Sequence, residues 1–287
     1  WEGCTKVSLA ATGGGGCDNC YAARMNGWLR NAENWGSGAP RRAYSAAHWE
    51  KPERWNAKAA REGKRLRVFP SVCDPFDNEV PQLWRTRFFA LIDRTPHLTW
   101  LLLTKRIGNA ARMLRADVPE GVRASEWEHV LLGATVVNQP EADRDIDKLL
   151  AIDAAGHFIS YEPALGPLDA TRWLTERPVY RGDDTSGFID YGQALAWVIA
   201  GGESGPHARP AHPDWFRSLR DQCAAAGVPF LFKQWGEWAP NCLCGTPHAH
   251  RDTPRPEPGK RGCMFRCGKA AAGRLLDGVE HNGVPAC

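Results

Sequence analysis

From residue 66 onward the chain repeats one alternation: a short, continuously apolar run, then a polar or amphipathic stretch. The runs are LRVFPSVCD (66–74), LTWLLLTKR (98–106), VLLGATVVNQ (130–139), HFISYEPALG (157–166), LAWVIAGGESG (195–205) and VPFLFKQWG (228–236). Each is too short and too uniformly apolar for a surface helix and has the pattern of a strand covered on both faces. Between them PQLWRTRFFALIDRTP, IGNAARMLRADV, EADRDIDKLLAI and HPDWFRSLRDQCAAAGV are helix-like, and the last stops at Gly227, a helix-ending residue. Strands alternating with helices require βα units and a parallel sheet. Six such strands, with a further candidate near Trp1, are too many for a small doubly wound domain. They predict an α/β chain built as a full or partial (β/α)6–7 barrel.

The runs share a chemical regularity. Each starts apolar and ends in polar or special residues: Cys73-Asp74, Thr104-Lys105-Arg106, Asn138-Gln139, Glu162, Gly201-Gly202-Glu203-Ser204 and Lys233-Gln234. Barrel enzymes carry their chemistry at the C-terminal ends of strands, so these residues are expected to converge on one mouth. Singly, each is an ordinary loop residue or, for Asp74, a cap; in series they predict a shared site.

A composition of 43% hydrophobic and 24% charged residues over 287 residues supports a sizeable core. No stretch approaches the roughly 18 to 20 apolar residues of a membrane span. No secretory leader pattern opens the chain, and its first residue, Trp1, points to a trimmed start. A cytoplasmic protein without a membrane partner is therefore expected. The formal charge of +3 does not require a nucleic-acid partner, but its distribution is uneven. Arg24 to Arg67 holds eleven Lys/Arg against four Glu and no Asp, interleaved with Trp28, Trp35, Tyr44, Trp49 and Trp55. That is either a groove for phosphates and unstacked bases or a solvated helical face anchored by tryptophans.

Ten cysteines fall at 4, 17, 20, 73, 223, 242, 244, 263, 267 and 287, clustered at the two ends. In a cytosolic chain such clusters are metal ligands or catalytic groups. Twelve residues, ending in Gly13 to Gly16, separate Cys4 from the C-x-x-C pair Cys17–Cys20. Three thiolates are one short of a closed zinc site, which would need a histidine or another cysteine. They can, however, hold three irons of a 4Fe-4S cluster and leave one iron open. S-adenosylmethionine (SAM) can chelate that iron and yield a 5′-deoxyadenosyl radical on reduction. Four glycines let the long gap fold back. They precede cysteine rather than Lys-Ser/Thr, so they are not a nucleotide phosphate loop. Cys73 and Cys223 lack an adjacent base for hydrolase chemistry. Residues 237–262, rich in Pro, Gly and His, read as an irregular loop, and CMFRCGKAAAGRLLDG as a strand and helix after it. Cys242, Cys244, Cys263 and Cys267, with His248 and His250 between, form either a second metal site (zinc or an auxiliary cluster) or a set of free thiols. The expected organisation is a barrel over 1–236 with an insertion at about 24–67, then a C-terminal extension over 237–287.

The stretches GCTKVS, GCDNCYAARM, LLLTKR, SYEPALGP, IAGGESGPHARP, DWFRSLRDQC, GVPFLFKQWG and GKAAAGRLLDG resemble, in order, a phage and bacterial family of three-cysteine radical-SAM-like proteins. That family is akin in layout to spore photoproduct lyase. The first cysteine gap is longer than the usual C-x3-C-x2-C, through an apparent LAATGGGG insertion. The resemblance implies Cys4, Cys17 and Cys20 as cluster ligands, and Glu203 in GGES, flanked by Gly201, Gly202 and Ser204, against the methionyl amine. Lys105, Asn138 and Glu162 are the other cofactor candidates, Lys105 and Glu162 also as catalytic groups, and Tyr21 is the aromatic candidate for adenine. It further implies an electron donor, a host-cytoplasm location where phage-encoded, and a nucleic-acid base or modified nucleotide as substrate, specifically a modified thymine. Two alternatives stand beside it. One is a lesion-repair enzyme with Cys73 as hydrogen donor; the other is a non-catalytic, zinc-stapled nucleic-acid-binding protein.

Overall fold

The computed structural model describes residues 1–7, 15–28, 34–175, 177–179, 190–192, 194–240 and 264–285. The six apolar runs form β1 (Leu66–Val68), β2 (Leu98–Thr104), β3 (Val130–Thr135), β4 (Gly156–Tyr161), β5 (Leu195–Gly201) and β6 (Phe230–Gln234). They make one sheet in strict sequence order, every neighbouring pair parallel. The sheet is open, with β1 and β6 at its edges, so among the described residues the architecture is a partial (β/α) barrel rather than a closed one. β1 is shorter than its apolar run because Pro70 removes a ladder donor just past it. Beyond that point Gly3 bridges Cys73 in parallel, which places the start of the chain beside the extension of β1.

Helices α1 (Tyr21–Trp28), α2 (Ala46–Trp49) and α3 (Lys51–Glu62) precede β1. Then α4 (Gln82–Asp93), α5 (Ile107–Asp117), α6 (Gln139–Leu150) and α7 (Pro213–Ala226) occupy the four predicted helical stretches. Asn138 caps α6 by accepting from the Glu141 amide at 3.1 Å, and α7 ends on Gly227 in the left-handed region at φ 69°.

Strand alternation divides the apolar side chains between two faces. Trp100, Leu102, Leu132, Ile159, Val198 and Phe232 meet the helices in the main core. Leu101, Phe158 and Trp197, flanked by Leu103, Leu131, Ile199 and Leu231, form a second apolar cluster on the other face of the sheet. The chain beyond 236 is stitched to this body. Trp238–Ala239 pairs with Phe265–Arg266, and Leu231 bridges Asn282. The Gly283 amide donates to Phe230 at 2.9 Å, so the tail covers part of the open β6 edge.

Candidate functional site

The strand ends gather charge. After β1, the carboxylate of Asp74 accepts from the Thr104 hydroxyl at 2.7 Å and from Arg106 Nη1 at 2.7 Å. Asp77 Oδ2 accepts from Arg41 Nε at 2.8 Å, and Arg41 Nη2 donates to the Thr5 hydroxyl at 2.6 Å. Arg106 also donates to the Thr5 carbonyl and, at 3.3 Å, to the sulfur of Cys4. Two buried arginines and two buried aspartates thus hold the Cys4–Thr5 segment against the ends of β1 and β2. Burial works against the charge on Arg106, but Asp74 above all, with Cys4 and Asp77, outweighs it and raises its pKa. Burial pushes the Cys4 thiol up to about 12 against the lowering by Arg106, so without a metal it is protonated at neutral pH.

The Cys17–Cys20 turn reaches a different strand end. Its Asp18 amide donates to Gly15 at 3.2 Å, and the Asp18 carboxylate accepts from the Gly15 amide at 2.9 Å. Asn19 Nδ2 donates to Glu203 at 3.2 Å and to the His207 carbonyl at 2.8 Å. Arg209 grips Glu203 through Nε at 2.9 Å and Nη2 at 2.6 Å, and its Nη2 also donates to Gly15 O at 3.0 Å. The carboxylate of Glu203 is therefore taken up in strapping the cysteine turn to the end of β5. Burial pushes its pKa up, but hydrogen bonds from Arg209 and Asn19 outweigh that and hold it below the ordinary range.

A second charged group lies on β4 and β6. Lys233 Nζ stands 3.1 Å from Glu162 Oε2, to which Ser160 Oγ donates at 3.3 Å. A Cβ on Gly201 would collide with Glu162 Oε1, and one on Gly202 with the Trp235 carbonyl, so both glycines permit close approach. Tyr21, half-exposed, donates its hydroxyl to Ser71 O at 2.9 Å and lies within electrostatic reach of Lys233, Cys20 and Glu162. Thus α1 carries the C-x-x-C turn and Tyr21 across the ends of β1, β4, β5 and β6.

The other expected residues have varied places. Asn138 is the α6 cap, and Ser204 accepts from Gln234 Nε2 at 3.1 Å. The backbone amide of Lys105 donates to Asp74 at 3.3 Å, while its ammonium has no ion pair among the described residues. Cys73 packs against the main core, where burial first and then Asp74 and Asp77 push its thiol up to about 12. Cys242, Cys244 and Cys263 lie outside the described residues; Cys267 is a half-buried free thiol. Arg41, Asn19 and Arg209 carry no periodic signature and were not anticipated, although Arg209 follows Glu203 closely in ESGPHARP.

Cys4, Cys17 and Cys20 are all free thiols. Their chemistry suits a thiolate-ligated cluster, and all three are tied to strand ends of one sheet. Among the described residues, however, no three His, Cys, Asp or Glu side chains already stand together as a metal-holding group. Residues 8–14, between Cys4 and Gly15, lie outside the described residues.

Over residues 1–285 the sequence matches the model of a family described as a protein of unknown function, DUF5131. No curated protein and no solved structure matches the chain.

Proposed function

The chain belongs to the DUF5131 family, and from its site we propose that it is a radical SAM enzyme acting on a nucleic-acid base, specifically a modified thymine. The observation that carries this reading is the strapping of a free C-x-x-C turn to the end of β5 in a parallel partial barrel, with a third free cysteine held at the ends of β1 and β2 of the same sheet. When bound, a 4Fe-4S cluster with an open iron supplies an electron, drawn from an external donor, that cleaves SAM to methionine and a 5′-deoxyadenosyl radical.

In this reading Cys4, Cys17 and Cys20 hold the cluster. Arg106, donating to Cys4, fixes that ligand's direction and places positive charge beside it. Glu203 and Arg209 act on the turn rather than on SAM, since their polar groups are committed to Asn19, Asp18, Gly15 and each other. The Glu162–Lys233 pair is the better candidate for the amino and carboxylate ends of SAM: it offers an acceptor and a donor side by side, with Tyr21 beside them. Lys105, with no ion pair among the described residues, supplies a further cation at the end of β2.

The test is anaerobic reconstitution with iron and sulfide, then dithionite and SAM, with 5′-deoxyadenosine measured by chromatography. The wild-type chain is expected to release it, and Cys17→Ala to release none. Zinc in the purified protein with no 5′-deoxyadenosine would favour the zinc-stapled binding protein instead.

A further inference from the structure

Beside the C-x-x-C turn a cleft of about 270 Å³ is lined by Lys6, Arg24 and His207 together with Asp18, Asn19 and Cys20. None of the three basic side chains has an ion-pair or hydrogen-bond partner among the described residues. Asp18, the carboxylate on this wall, accepts from the Gly15 amide at 2.9 Å and from Arg209 Nη1 at 3.4 Å. The Arg24 guanidinium lies close over Gly205, in the space a Cβ there would fill. Helix α1 begins at Tyr21, next to Cys20, with no acidic residue in its first turn, so its dipole adds positive potential.

Four other cations of the stretch 24–67 are paired. Arg41 pairs with Asp77 at 2.8 Å, Arg42 with Glu2 at 3.3 Å, Arg54 with Glu50 at 3.7 Å and Lys58 with Glu62 at 3.8 Å. Trp49 packs against Trp1 and under Arg87. Four of the eleven cations along that stretch are thus paired, whereas Arg24, at its start, meets Lys6 and His207 around one recess.

We propose that this cleft is a phosphate subsite that seats the phosphate esters of the nucleic acid whose base enters the mouth. The proposal rests on the nucleic-acid substrate named above. Three basic groups from separate segments converge on a volume suited to a phosphate and its sugar. A folded acidic protein could touch only the rim of such a recess. Charge, recess and the neighbouring strand ends together select a phosphate ester.

The experiment measures fluorescence anisotropy of a labelled single-stranded oligonucleotide titrated with the full chain, without iron, over a series of salt concentrations. Lys6→Ala/Arg24→Ala is expected to weaken binding about tenfold at low salt and to flatten the log K against log salt slope by about one. Lys6→Ala/His207→Ala, which leaves Arg24 on Gly205, is expected to weaken it in the same direction. Arg54→Ala/Lys58→Ala should stay within about twofold. Thymidine monophosphate and inorganic phosphate are added as competitors. Displacement by the mononucleotide identifies a single nucleotide as sufficient, and resistance to both identifies the polymer. No binding, equal binding by wild type and both cleft variants, or an equal loss in the Arg54/Lys58 control overturns the proposal. Poly-glutamate binding as tightly, with the same dependence on Lys6, overturns it in favour of an acidic protein. Because no iron is present, failure here is separate from failure to form 5′-deoxyadenosine.

Discussion

Glu203, just past the end of β5, and Arg209 close a two-pronged ion pair, with Nε to Oε2 at 2.9 Å and Nη2 to Oε1 at 2.6 Å. Asn19 binds the same carboxylate and Gly15 the same guanidinium, so one pair ties a strand end to both sides of the cysteine turn. Replacing Glu203 by Gln removes the charge while keeping the shape and is expected to cost about 2 kcal/mol, the scale of hydrogen bonds to a charged group. The specific readout is alkylation of Cys17 and Cys20 by a thiol reagent, which should quicken in Glu203→Gln and Arg209→Ala. Labelling rates equal to wild type would show that the strap does not hold the turn.

The outline of this site was legible because buried parallel strands leave a local mark, a short apolar run, and sequential βα connections place their ends together. Individual roles were less so. Asn138 as a ligand and Asn138 as a helix cap have the same residue type and position; only the Glu141 amide at 3.1 Å distinguishes them. Glu203 was visible as an acid at a strand end, but its engagement by Arg209 and Asn19 is tertiary. Charge counting over 24–67 could not show that Arg41 is buried on Asp77 or that Trp49 packs against the core. Lys105 and Arg106 are adjacent, yet it is Arg106 that reaches Cys4.

Backbone contact at the mouth gives a clean contrast between two glycines. Gly202→Ala drives a methyl into the Trp235 carbonyl, where β5 and β6 approach, and is expected to destabilise by about 3 kcal/mol or more. Gly108, near the start of α5, has nothing within 4 Å of its added methyl, and Gly108→Ala should stabilise by about 0.5 kcal/mol. Urea midpoints of the two variants measure both effects.

His157 is buried on β4, with Nε2 2.9 Å from the Ile152 carbonyl. Burial lowers its pKa from 6.5 to about 4, the Ile152 carbonyl opposing. With the folded value depressed, its contribution is fully present above 6.5 and is lost as pH falls towards 4, by about 3 kcal/mol in all. Urea titrations between pH 7 and 4 should show this fall, and His157→Gln should flatten it. An unchanged slope in the variant would assign the acid sensitivity elsewhere.

Lys233 is more than half exposed and Glu162 mostly covered, so their ion pair contributes little to folding. Glu162→Gln and Lys233→Met are expected to change stability by less than about 1 kcal/mol while weakening SAM binding about tenfold or more. Equilibrium dialysis with labelled SAM on reconstituted protein tests this. Unchanged affinity in both variants would remove the pair from the cofactor site.

The most direct test of the account is iron bound after anaerobic reconstitution of the wild-type chain and of Cys4→Ala, Cys17→Ala and Cys20→Ala, with the absorbance near 400 nm followed alongside. The account predicts about four irons per wild-type chain and a broad iron–sulfur band, both lost or sharply reduced in each variant. Wild-type protein that binds no iron, or a Cys4→Ala variant that holds as much as wild type, would contradict it.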